Sequence, residues 1–107
     1  LFPHHANLLE CYRSGPKGMS DYVKKPLLSR EGANLSIHRG ATVEETAGPY
    51  GEEGFVYQAT ARIANCDGAH PIIGSWIIDG VAAGIGIRES ATSVTNNWRS
   101  FVPHLFE

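Results

Sequence analysis

Cysteine is scarce in this chain: Cys11 and Cys66 stand far apart, outside any C-x-x-C or Cys/His ligand spacing. Two cysteines so placed exclude the disulfide framework of a secreted miniprotein, and a reducing, cytoplasmic setting is expected. Charge of one sign is also missing. Nine Lys and Arg stand against eleven Asp and Glu, for a formal charge of −2, so there is no cationic field of the kind that drives sequence-independent binding to nucleic acid. No run approaches the roughly 20 apolar residues of a membrane-spanning helix, and the first residues lack the charged-then-apolar layout of a secretion signal. Neither nucleic acid nor a membrane is expected as partner. Leu1 in place of an initiator Met, followed by Phe2-Pro3 in the manner of a helix start, leads to the expectation of a fragment, natural or engineered, or a processed chain.

What is present is ordinary for a globular chain: 42% hydrophobic residues, 19% charged residues and twelve glycines over 107 positions. That length suits one domain spanning residues 1–107. Pro3, with Leu8, Leu9 and Tyr12 at helical spacing, predicts a short helix over about residues 5–12, ended by Ser14-Gly15-Pro16. From there the pattern is of strands. Tyr22-Val23 through Pro26-Leu27-Leu28 carries a proline and so predicts an edge or bulged strand. A turn-rich link at residues 29–34 leads to a strand around Leu35 and Ile37, closed by a tight turn at Arg39-Gly40. Residues 42–46 suit a third strand, residues 47–54 a loop with an acidic tip, and residues 55–59 a buried strand rich in β-branched and aromatic side chains. Asp79-Gly80 between the apolar runs 71–78 and 81–88 is the strongest hairpin signal, and two central antiparallel strands are expected there. Successive local hairpins predict an α+β fold: mainly an antiparallel sheet, with one or two short helices.

The chemical signals are weak one by one. The segment Ser29 to Asn34 contains Gly32 and is flanked by Lys25 and Arg30, a composition that brings backbone N–H groups and positive charge to an anion, but taken alone a hairpin turn with solvated charges is the commoner explanation of such a segment. It is not a Walker A loop, since G-x-x-x-x-G-K-[ST] is missing. Arg88 ends a strand in which Ala83, Gly84 and Gly86 clear space; glycine in a strand marks either a close ligand or sheet curvature. Gln58 sits on a strand whose wet face requires no ligand. His4, His5, His38, His70 and His104 show no zinc-site spacing. No G-x-S-x-G elbow or activated cysteine supports a hydrolase.

In order along the chain, Tyr22-Val23-Lys24-Lys25-Pro26, Arg30-Glu31-Gly32-Ala33-Asn34, Glu45-Thr46, Tyr57-Gln58, Ile73-Gly74-Ser75-Trp76-Ile77-Ile78, Gly86-Ile87-Arg88-Glu89-Ser90, Thr95-Asn96-Asn97 and Arg99-Ser100-Phe101-Val102-Pro103-His104 form a pattern. It resembles the carboxy-terminal ATP-grasp region of the glutathionylspermidine synthase family, over nearly the whole chain. The resemblance implies an ATP-dependent carboxylate–amine ligase: ATP phosphorylates the carboxylate of glutathione or a comparable peptide, and an amine attacks the acyl phosphate to form an amide, with the protein positioning and neutralising charge.

By the same resemblance, Lys25 rather than Lys24 reaches the nucleotide phosphates, Gly32, Ala33 and Asn34 cover them together with Arg30, and Arg88 lies near the transferred group. Tyr57, Gln58 and Ala59 match the segment whose backbone edge meets adenine, and Ile73 and Ile87 wall that pocket. Cofactors implied are ATP and Mg²⁺; Glu45 and Glu89 are the candidate carboxylates, with the family's own magnesium ligands expected before Leu1. The resemblance thus gives an ATP-binding portion that is catalytically incomplete alone and needs an amino-terminal part. It also leads to the expectation that Lys25, Arg30 and Arg88 converge on one anion-sized hollow. The alternatives are a non-catalytic module that oligomerises through its sheet edges, favoured by the apolar strands at 71–87, and a binder of cationic ligands at the acidic loop 44–53.

Overall fold

A computed structural model of the chain describes residues 6–94 and 99–105. Two compact units make it up, residues 1–61 and 62–107. The described residues are all-β: two antiparallel sheets and no helix. This corrects the α+β expectation. Residues 6–8 form a turn, and Cys11–Tyr12 is a strand, β1. A helix of about eight residues is marginal in water without packing. Here Leu8 and Leu9 are exposed, and Cys11 and Tyr12 find ladder partners instead.

The first unit is a five-stranded sheet of β1, β2 (Asp21–Pro26), β3 (Ser36–Arg39), β4 (Thr42–Glu45) and β5 (Phe55–Ala59), in the spatial order β1-β5-β2-β3-β4. The strand carrying Pro26 is therefore central rather than an edge. The sheet tolerates the proline because Pro26 is the last residue of β2, beyond the β3 ladder, which ends at Lys24 opposite Ser36. Gly40 opens the two-residue β3–β4 turn with φ 56°, the glycine position of a type II′ hairpin. Cross-strand partners share a face. Val23, Lys25, Ile37, Val56 and Gln58 therefore lie on one side, and Tyr22, Lys24, Ser36, His38, Glu45, Phe55 and Tyr57 on the other. Ile37, 6% exposed, is the one buried hydrophobic among the described residues.

The second unit is a three-stranded sheet, β6 (His70–Ile78), β7 (Val81–Ser90) and β8 (Ser100–Val102). Asp79 and Gly80 form the β6–β7 turn with φ 50° and 76°, both positive as a type I′ hairpin requires. β7 is central and β6 an edge, so one of the two expected central strands is central. Between Trp76/Ile77 and Gly84/Ala82 the register slips, leaving Ala83 as the extra residue of a bulge, with Gly84 at φ 142°. Glycine at this place serves the bulge and the strand's curvature. The apolar run is not buried: Ile73, Trp76, Ile77, Ile78, Val81 and Phe101 are 65–78% exposed.

Candidate functional site

Between β2 and β3 the chain takes an expensive path. Glu31, Gly32 and Asn34 all have left-handed φ, 58°, 73° and 53°, a conformation that a side chain such as Glu adopts only where its surroundings impose it. Those surroundings are specific. Ser29 Oγ donates to the Ala33 carbonyl at 2.7 Å, and Ala33 N–H returns to the Arg30 carbonyl at 3.1 Å. Thr46 Oγ1 donates to the Gly32 carbonyl at 2.6 Å while accepting Leu35 N–H at 2.9 Å. Asn34 Oδ1 accepts Tyr50 N–H at 2.8 Å. Residues 46–50 thus hold the expected phosphate loop from one side, and Gly48 packs so closely that a Cβ there would lie 2.7 Å from Ala33 Cβ.

Of the sequence-predicted residues, Lys25 and Gln58 are brought together. Their strands pair with Lys25 opposite Val56 and Val23 opposite Gln58, so the two side chains are diagonal neighbours on one face. Lys25 Nζ donates to Gln58 Oε1 at 2.6 Å in a partly buried setting. Tyr57 lies on the reverse face, its ring 6.0 Å from that of Tyr22. The β5 backbone pairs with β1 on one side and β2 on the other at Tyr57 and Gln58, and Ala59 N–H bonds the Glu10 carbonyl at 2.8 Å. What β5 presents at these positions is therefore side chain rather than an open backbone edge. Arg30 is solvent-facing and ion-paired to Glu31 at 2.9 Å.

Sequence reasoning passed over Lys24. On the face opposite Lys25, its Nζ lies 4.3 Å from the Phe55 ring centroid, a cation–π contact. It borders a hollow of about 160 Å³ with Asn34, Leu35, Ser36, Glu45, Thr46 and Phe55. Ligand pockets run to roughly 300–1,000 Å³, so this space suits a group of phosphate size rather than a nucleotide. The period of two would have separated Lys24 from Lys25, but nothing local shows which strand lies opposite.

Arg88 belongs to the second unit, on β7 opposite Ile72 and Phe101, and Ile73 pairs directly with Ile87 there. His38 stacks on Tyr22 at 4.3 Å and meets Ser36 Oγ at 3.1 Å, while His70 Nδ1 lies 3.3 Å from the Ser90 carbonyl. Both are engaged locally, and among the described residues no three His, Cys, Asp or Glu come together as a metal site. Glu45 lines the hollow of the first unit and Glu89 sits on β7 of the second. Mg²⁺ carried by a nucleotide takes one or two carboxylates together with the phosphates, and Glu45 is the carboxylate that stands beside Lys24 at this hollow. His4, His5 and the stretch Thr95-Asn96-Asn97 lie outside the described residues.

The chain is matched along residues 1–107 by the family described as "Glutathionylspermidine synthase preATP-grasp". A Haemophilus influenzae protein, named by inference an acid–amine ligase, is 43% identical over 115 residues, covering 98% of this chain and 29% of that protein. The trypanothione synthetase of Crithidia fasciculata is 34% identical over 76 residues, covering 69% of this chain and 12% of that protein. The chain thus spans less than a third of either relative. The description names a preATP-grasp region, which corrects the expected placement in a carboxy-terminal ATP-grasp portion; at the level of family the two agree.

Proposed function

We propose, from the premise that the chain belongs to the glutathionylspermidine synthase family, that it is a nucleotide- and phosphate-holding part of an ATP-dependent ligase joining a carboxylate to an amine. The observation that carries this is the Lys25–Gln58 contact at 2.6 Å, on the same sheet as a loop pinned in left-handed backbone geometry. An ammonium has three donors. Gln58 takes one and fixes the direction of the others, so Lys25 is oriented before a phosphate oxygen arrives. Gly32, Ala33 and Asn34 present backbone to the phosphates, and Arg30 joins by leaving its exposed pair with Glu31, a pair of the kind worth about 0–1 kcal/mol. By the family resemblance Arg88, in the second unit, is assigned to the charge of a transferred phosphoryl group, and Gln58 is the residue of the Tyr57–Ala59 segment that shares the Lys25 face, with Tyr57 and Ala59 on the reverse face. Bound ATP would supply the phosphoryl group that activates the carboxylate. Catalysis requires the remainder of the ligase, including its magnesium carboxylates and its peptide and amine sites, and the setting is the cytoplasm.

Calorimetric titration with a non-hydrolysable ATP analogue and Mg²⁺ tests this. Lys25→Met is expected to weaken binding at least tenfold, because a hydrogen bond to a charged group is worth about 1.5–3 kcal/mol. Affinity within twofold of the unsubstituted chain would remove Lys25 from the site.

A second reading is favoured by the exposed side chains of β6 and β7: a non-catalytic module that associates through its sheet, since contiguous apolar surface of this kind marks interaction sites. A strict monomer at high concentration in light scattering would exclude it.

A further inference from the structure

In the second unit β8 pairs with β7 so that Phe101 stands opposite Arg88. Arg99 directly precedes β8, two residues before Phe101, and lies close enough to Arg88 to feel its positive charge. Two guanidiniums thus stand near each other at this end of the second sheet. No carboxylate among the described residues is paired with either: Glu89 falls on the opposite face from Arg88 by alternation along β7, and Arg30–Glu31 and Arg39–Glu44 lie in the first unit. The Nε of Arg99 is buried and has no hydrogen-bond partner among the described residues. The Arg99 guanidinium is held below the ordinary arginine range, first by desolvation and then by the positive charge of Arg88. Such a donor, without a partner among the described residues and facing a like charge, is an arrangement that a bound anion would complete.

We infer that Arg88 and Arg99 together form a site for a tetrahedral oxyanion of the phosphate class, with Arg99 supplying the second guanidinium and its Nε–H. Two positive charges match the −1.5 to −2 or so of a phosphate at neutral pH, whereas a single carboxylate would leave one uncompensated. The inference rests on the proposed ligase reading only in giving that anion a source, the phosphoryl group in transfer.

Inorganic phosphate is the probe, added to the chain at constant ionic strength while the arginine Nε–Hε resonances are followed by NMR, with acetate as the parallel arm. Saturable movement of the Arg99 resonance is expected with phosphate, at least tenfold weaker with acetate, and at least tenfold weaker for phosphate in Arg88→Gln and Arg99→Gln. Without phosphate, Arg99→Gln should melt no lower than the unsubstituted chain, because it relieves repulsion; phosphate should raise the Tm of the unsubstituted chain alone. A lower Tm with unchanged phosphate binding would assign Arg99 a structural role and overturn the site. So would the absence of a saturable response, or acetate binding as tightly as phosphate. Should Arg99→Gln fail to fold, Arg99→Lys keeps the charge without the Nε–H, and full phosphate affinity in that variant would also overturn it. Nucleotide-induced shifts at Lys25 and Gly32 in the first unit read the ligase proposal separately: if they persist while phosphate fails here, this site alone is lost.

Discussion

Thr46 shows how one hydroxyl fixes a loop. It accepts Leu35 N–H and donates to the Gly32 carbonyl, so it joins both ends of the turn expected to cover phosphate. Thr46→Val keeps the shape and leaves both backbone groups unpaired. A loss of about 1–3 kcal/mol is expected, read from the urea midpoint, together with weaker nucleotide binding. Gly48 makes the complementary point through space alone, since an added methyl meets Ala33 and Asn34. Gly48→Ala is expected to cost about 1–3 kcal/mol by overpacking, and an unchanged midpoint would show the loop to be looser than described. The family pattern contained Glu45-Thr46 but gave it no such work; the clasp depends on a residue 14 positions from its partner, which no local spacing displays.

At the scale of elements, the turns were the most legible parts. Asp79-Gly80 and Arg39-Gly40 announce hairpins because a positive φ is demanded at fixed positions and few residues supply it cheaply. Gly80→Ala should therefore destabilise the second unit by about 1 kcal/mol, measurable as a drop in Tm. Strand order was not legible. Pro26 argued for an edge, yet β2 is central, since a proline at a strand's end leaves the rest of its ladder intact. The helix over residues 5–12 failed because a short helical spacing carries little weight against a strand offering partners. Most misleading was the hydrophobic run at 71–78, which reads as core and stands exposed. Replacing Ile77 and Phe101 together with Thr is expected to lower any self-association seen in sedimentation, and equal association in the variant would locate the contact elsewhere.

At the scale of the molecule, two sheets carry separate cationic positions. The first holds Lys25 against Gln58 on one face and Lys24 beside Asn34 on the other; the second holds Arg88 within electrostatic reach of Arg99. The resemblance to the ligase family was readable because its pieces recur in order, and the family is the one matched over residues 1–107. The individual roles were harder to read, because Lys24 and Lys25 are neighbours in sequence and opposites on the sheet. The most direct test is an NMR titration of the chain with a non-hydrolysable ATP analogue and Mg²⁺. Saturable backbone shifts at Lys25, Gly32, Ala33, Asn34 and Gln58, reduced at least tenfold in affinity by Lys25→Met, are expected. Shifts absent from these residues at saturating nucleotide would contradict the assignment of phosphate holding to this sheet and its loop.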